Sequence, residues 1–156
     1  MEIYLSLGSN LGDRRNNILA AISGLESFFS CPCAASSEIH EFPSWGFDAP
    51  DFLNCAVRFD IPDCGISPEL YAHALLREIK HLEAGAGRIS HPLYSSDGER
   101  VYHSRTIDID ILYIDNQIIK SQHLTIPHPL IGQRDFVLIP LREVMTENLT
   151  IAGEYR

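Results

Sequence analysis

Residues 3–7 alternate: Ile3, Leu5 and Leu7 point one way, Tyr4 and Ser6 the other, the period of a strand. Gly8, Ser9 and Asn10 break that pattern, and Asp13 is a suitable N-cap for a helix whose apolar stripe is Ile18, Ile22, Leu25 and Phe29. Cys31-Pro32-Cys33 ends it. A second strand is predicted over residues 34–41, then a Pro- and Gly-bearing loop over 42–50. Residues 52–61 alternate clearly, with Leu53, Cys55, Val57, Phe59 and Ile61 sharing a face. A second helix opens with Ser67, Pro68 and Glu69, each suited to its place at a helix start. It buries Leu75, Ile79 and Leu82 and stops at Gly85 and Gly87. Residues 90–104 read as a polar, irregular loop, long enough in so small a protein to suggest a lid, a binding loop or a disordered segment. Residues 106–114 form the most β-branched strand. A short strand near Ile118 and Ile119, a Pro-locked extended stretch over 124–129, and a short helix or mixed segment to Val144 complete the chain.

Two helices interleaved with strands predict an α+β sandwich: a mostly antiparallel sheet with helices packed on one face. The chain has 156 residues, 45% of them hydrophobic, enough for the core of a single domain over 1–156. The formal net charge of −9 argues against a nucleic-acid or anionic-membrane partner. The basic residues are skewed, ten Arg against two Lys, and Arg grips phosphate oxygens in pairs. No basic and apolar leader opens the chain, and the four cysteines have no disulfide-framework spacing, so a cytoplasmic protein is expected.

The sharpest chemical pattern is Arg105-Thr106-Ile107-Asp108-Ile109-Asp110-Ile111-Leu112. On a strand, Asp108 and Asp110 project side by side from one face, where they repel and lose hydration. A divalent cation resolves both costs, and oxygen-only ligands suit Mg²⁺; a solvated polar face is the other reading. Pro127 and Pro129 fix the backbone around His128, which with Arg134 could hold a polyphosphate or could be an ordinary loop pair. Arg88 and Arg105 bracket the long loop, and Glu83 lies one turn before Arg88. Phe52 and Asn54 share the face opposite the apolar stripe, a ring and an amide suited to a flat hydrogen-bonding heterocycle or to a small second core. Gly8 to Gly12 form a turn without a P-loop signature.

Taken in order, Tyr4 to Gly12, Phe52-Leu53-Asn54, Gly87-Arg88, Arg105 to Leu112, Thr125-Ile126-Pro127-His128-Pro129 and Arg134-Asp135-Phe136 resemble the 6-hydroxymethyl-7,8-dihydropterin pyrophosphokinases of folate biosynthesis. The resemblance runs over residues 4–144. It implies a ferredoxin-like fold and transfer of the diphosphoryl group of ATP to a pterin hydroxymethyl group, releasing AMP. It implies two Mg²⁺ ions on Asp108 and Asp110, with Arg88, Arg105 and Asp110 catalytic. Glu83, Arg105, Ile111, Thr125, His128 and Arg134 would contact ATP. Phe52 and Phe136 would sandwich the pterin and Asn54 bond its edge, with Gly8, Glu41, Phe42, Pro43 and Ser44 beside it. ATP and the pterin are the expected partners of a monomer. Ser90 stands where many members carry a second Arg, and Tyr102 where Trp is frequent. A ferredoxin-like nucleotide-binding module, a two-metal phosphoesterase and a paralogue without turnover share parts of this pattern.

Overall fold

The computed structural model describes residues 1–43, 50–86, 93–94, 100–101 and 106–151. The first strand, β1 (Glu2–Ser9), lies at the centre of the main sheet and feeds α1 (Arg14–Phe29). The Asp13 carboxylate accepts from the Asn16 N–H at 3.2 Å, capping α1 as its sequence suggests. Short strands β2 (Ala35–Ser36) and β3 (His40–Phe42) follow, then β4 (Phe52–Asp60) and α2 (Pro68–Gly85). Ser67 Oγ caps α2 by accepting from the Leu70 N–H at 3.2 Å. After α2 come β5 (Leu93–Tyr94), β6 (Arg100–Val101), β7 (Asp108–Ile114), β8 (Ile119–Lys120), β9 (Thr125–Ile126) and α3 (Asp135–Val144).

The main sheet runs β2-β4-β1-β7, with β3 also on β4, and every pairing is antiparallel. The connection through α1 therefore passes over β4, and the one through α2 passes over β1. This is the ferredoxin-like arrangement expected of an α+β sandwich. Both α1 and α2 cover the same face. Ile3, Leu5 and Leu7 of β1, Cys55, Val57 and Phe59 of β4, and Ile109 and Ile111 of β7 meet Ile18, Leu25, Leu75 and Ile79 in one buried core. Among the described residues, no helix is long and apolar enough to cross a membrane.

Three features depart from the sequence pattern. The strand expected over residues 34–41 is broken, because Ser37 takes over the ladder with its side chain: its N–H donates to Ala56 O and its hydroxyl accepts from the Ala56 N–H, both at 2.9 Å. The stretch read as an irregular loop contains the paired strands β5 and β6. The segment read as a short helix or mixed stretch is a helix, α3, and it packs on the sheet face opposite α1 and α2, not with them on one face. There Val137, Leu138, Leu141 and Val144 meet Tyr4, Ala56, Leu112 and Tyr113.

A register shift makes that second core. Tyr4 pairs with Tyr113 but Leu5 pairs with Ile111, so Leu112 is an extra residue in β7. Leu112 and Tyr113 both turn toward α3, and Ile114 returns to the helix-covered core. Tyr4 and Tyr113 meet edge to face at 6.3 Å between ring centroids.

The far end of α3 is tied down by polar bonds. Arg58 Nη1 donates to Val144 O at 2.7 Å. The Thr146 N–H donates to the Tyr4 hydroxyl at 3.1 Å, which itself donates to Glu2 Oε2 at 3.0 Å. Tyr4→Phe leaves the Thr146 N–H without this acceptor and is expected to lower stability by about 1–2 kcal/mol, measured by urea titration. An unchanged urea midpoint would show that water replaces the bond at no cost.

Candidate functional site

The helix α3 covers only half of its face. The uncovered half is polar, and the pairing register dictates what stands there. His40 pairs with Asn54, Asn54 with Gly8, and Gly8 with Asp108, so one row crosses four strands. In the neighbouring row Ala56 pairs with Ser6 and Ser6 with Asp110. Phe42 pairs with Phe52 one row further out. Directly paired residues point to the same side of a sheet. His40, Phe42, Phe52, Asn54, Asp108 and Asp110 therefore share the sheet face on which α3 packs, with His40 and Phe42 at the helix margin.

Gly8 shapes the floor. A methyl group placed on it would come within 2.6 Å of Asn54 Oδ1 and 3.5 Å of Phe52 Cδ1. The Asn54 carboxamide, itself buried, thus lies across the strand at the one residue without a side chain. The turn beyond Gly8 is held by Asn17, whose amide donates to Leu11 O at 2.8 Å and to Ser9 Oγ at 3.3 Å.

Asp108 and Asp110 are half-buried on β7. Among the described residues there is no group of three or more His, Cys, Asp or Glu side chains able to hold a metal alone. Two neighbouring carboxylates fit a hard ion that keeps waters and completes its shell with a substrate's oxygens, as Mg²⁺ does. His128 is brought beside them by its backbone, whose N–H donates to Leu112 O at 3.1 Å. The Leu130 N–H donates to His128 Nδ1 at 3.2 Å, which leaves the ring proton of the neutral imidazole on Nε2. Burial first, and then the Arg134 cation, lower the His128 pKa; the Asp108 carboxylate opposes them without prevailing. The arrangement is a neutral N–H donor and a guanidinium next to two carboxylates.

Arg134 also lies over the Phe136 ring, with its guanidinium carbon 5.5 Å from the centroid. Phe136 meets Phe42 edge to face at 6.5 Å. The aromatic wall expected from Phe52 and Phe136 thus includes the Phe42 ring, for which only a neighbouring position was expected. Glu41 and Pro43 are exposed beside it.

Other expected residues lie outside these paired rows. The Ile111 side chain is buried in the core under α1 and α2, so only its backbone can meet a ligand. Glu83 is buried in the last turn of α2, and Thr125 is exposed on β9. Ser44, Arg88 and Arg105 lie outside the described residues.

Four residues that sequence reasoning missed complete the surroundings. Asn10, buried, donates to Pro50 O at 3.1 Å. Arg14 donates to Asp51 O at 2.9 Å and lies 3.5 Å from the Glu41 carboxylate. Glu143 of α3 accepts from the Glu38 N–H and bonds His40. None of these contacts has a local sequence signal except the position of His40, in register with Asn54.

A sequence model of the 7,8-dihydro-6-hydroxymethylpterin-pyrophosphokinase family matches residues 4–146. The chain is 35% identical over 152 residues to the 2-amino-4-hydroxy-6-hydroxymethyldihydropteridine pyrophosphokinase of Methylorubrum extorquens, covering 97% of this chain and 86% of that protein. It is 38% identical over 144 residues to the enzyme of the same name from Porphyromonas gingivalis, covering 91% and 89%. It is 40% identical over 143 residues to the folic acid synthesis protein FOL1 of Dictyostelium discoideum, covering 91% of this chain but only 19% of that longer protein.

Two outcomes follow from the geometry. Gly8→Ala forces the Asn54 amide aside and is expected to cost about 1–3 kcal/mol in denaturant titration; wild-type stability would show that the amide has room to move. His128 is expected to titrate, by NMR without ligands, below the ordinary histidine value of about 6.5. Because its folded pKa is depressed, its contribution to stability is intact above that ordinary value and is lost as pH falls through the folded pKa. Arg134→Gln should move the midpoint up, and a wild-type midpoint at or above about 6.5 would overturn the assignment.

Proposed function

We infer the function from one premise: this chain belongs to the 7,8-dihydro-6-hydroxymethylpterin-pyrophosphokinase family. It is an ATP-dependent diphosphotransferase of folate biosynthesis. The reaction is attack of the hydroxymethyl oxygen of 6-hydroxymethyl-7,8-dihydropterin on the β-phosphorus of ATP. The bond from that phosphorus to the α,β-bridging oxygen breaks, AMP leaves, and the hydroxyl proton is released.

The observation that best supports assigning this reaction to the uncovered sheet face is the row Asn54, Gly8, Asp108. It sets an amide suited to the edge of a flat heterocycle two strands away from a carboxylate pair suited to a metal–phosphate group. Neighbouring strands are about 4.8 Å apart, so the amide and the carboxylates stand about 10 Å apart at their strands. That span suits a bicyclic ring with its hydroxymethyl arm directed at the phosphates.

In this reading Phe42, Phe52 and Phe136 enclose the ring, and Asn54 bonds its edge. Gly8 leaves room for that amide, with Glu41, Pro43 and Ser44 at the rim. His128, neutral, donates its Nε2 proton to a phosphate oxygen without competing for the proton the hydroxyl loses. Arg134 adds a cation on the same side. Asp108 and Asp110 would hold two Mg²⁺ ions, which when bound neutralise phosphate charge and keep the acceptor oxygen and β-phosphorus in line. Arg88 and Arg105 are assigned to charge neutralisation during transfer. Glu83, Thr125 and the Ile111 backbone are assigned to the nucleoside end. The catalytic unit is a single domain, and its four free thiols suit a cytoplasmic setting.

The purified chain with Mg²⁺, ATP and the pterin is expected to release AMP in step with a diphosphorylated pterin, and only when the pterin is present. Asp110→Asn should reduce that turnover by about a hundredfold or more while leaving thermal stability without Mg²⁺ unchanged or higher. ADP, or phosphate formed without pterin, would identify a different transfer; a fully active Asp110→Asn would remove the metal assignment.

A further inference from the structure

The third helix and the edge strand β3 face each other across two contacts. The first is apolar: Phe136, in the first turn of α3, meets Phe42 at the end of β3. The second is polar: Glu143, in the last turn of α3, bonds His40 at the start of β3. Phe136 and Glu143 are seven positions apart, two turns of helix, and so lie on one side of α3. His40 and Phe42 are two positions apart, and so lie on one side of β3. The two contacts are rungs of one ladder between the same pair of elements.

The polar rung uses both oxygens of Glu143. Oε1 accepts from the Glu38 N–H at 3.0 Å, and Oε2 meets His40 Nε2. The Glu38 N–H is available because the chain leaves the ladder at Ser37, so one carboxylate holds both the kink before β3 and its first side chain. Burial pushes the Glu143 carboxyl up, but the Glu38 N–H and His40 together outweigh it and hold the group below the usual carboxylate range. The two side chains are 33% and 34% exposed, sheltered by the elements they join.

This rung matters because, among the described residues, β3 is an edge strand that pairs with β4 alone. The helix end that carries Glu143 is fixed to the sheet through Arg58 and Tyr4. Glu143 thus carries the firm position of that end over to an edge strand, and the other end of that strand presents Phe42.

We propose that Glu143 and His40 are a positioning pair that sets the gap between Phe42 and Phe136, and thereby the affinity of the site for the flat heterocycle of its pterin substrate. The inference rests on the functional reading above and adds to it two residues to which that reading assigns no substrate contact. Removing the pair lets β3 drift from α3 and widens the aromatic wall. The phosphate side, built from β7 and the segment around His128, is untouched.

The test is AMP release by the full chain with Mg²⁺, varying pterin at saturating ATP and ATP at saturating pterin. Glu143→Ala and His40→Ala are each expected to raise KM for the pterin roughly three- to tenfold, with KM for ATP unchanged and kcat within about twofold. Glu143→Gln keeps an acceptor for Glu38 and a polar partner for His40, and should restore most of the loss. In a Phe42→Ala background, Glu143→Ala should have little further effect, because the residue it positions is gone. Unchanged pterin KM in the alanine variants, or pterin and ATP KM rising together, overturns the pair as a positioning device. If Glu143→Ala does not fold, His40→Ala decides, since the bond to Glu38 remains. No pterin-dependent AMP from the wild-type chain overturns the functional reading and the pair's role with it.

Discussion

The register of β1 against its two neighbours governs everything at the polar end of the sheet. Side chains alternate faces along a strand, so a slip of one residue would bury Asp108 and Asp110 and expose Ile109 and Ile111. The register is held by apolar area. Ile3, Leu5 and Leu7 on β1 and the matching residues of β4 and β7 are sealed under α1 and α2. The carboxylates, the amide and Gly8 are therefore placed by residues pointing away from them. Ile3, Leu5, Leu7, Val57, Phe59 and Ile114 of that core are fully buried, and each contributes about 1.5–3 kcal/mol against leaving its face. That outweighs the cost of keeping two carboxylates side by side in partial burial.

The bulge at Leu112 then divides the open face in two. Before it, the face carries Asp108 and Asp110; after it, both Leu112 and Tyr113 turn to the same side and build an apolar seat. A strand in strict alternation would offer α3 only one of them. With two, α3 is anchored at the Tyr4 end and stops short of the acidic end. Its N-terminal end reaches the margin of the open half and brings Phe136 and the preceding Arg134 there. The same residue insertion thus explains why the helix sits where it does and why the acidic half is left open.

How far these features were legible follows from the range of the interactions involved. The two long helices, their caps and the alternating strands were readable because each is a local pattern repeated over several residues. The aspartate pair was readable for the same reason. The bulge was not, since Leu112 and Tyr113 are both apolar and either phase of the strand satisfies the pattern. The break after Ser36 was hidden because a serine hydroxyl replaces a backbone group, which composition does not reveal. Pro140 within α3 obscured a helix whose apolar positions 137, 138, 141 and 144 do fit one. The bond from Glu143 to His40 spans 103 positions, and no local rule reaches that far.

Charge shows the same division between local pattern and assembled site. The chain carries a net −9, yet in the proposed reading its open sheet face receives a polyphosphate. A uniformly basic pocket is not how the described residues meet that demand. Arg134 stands between the ring side and the phosphate side, over Phe136 and beside His128. Burial, and then this cation, favour the neutral form of His128, so the imidazole contributes a hydrogen-bond donor instead of a second charge. In that reading the carboxylates add negative charge where phosphate binds, and a cation between them would offset it. In the proposed reading, a site built this way would bind its polyphosphate through the metal and fix its heterocycle through stacking and one amide. Selectivity for the ring then depends on the spacing of aromatic walls carried by β3, β4 and α3, three elements whose relative positions are set by packing far from the chemistry.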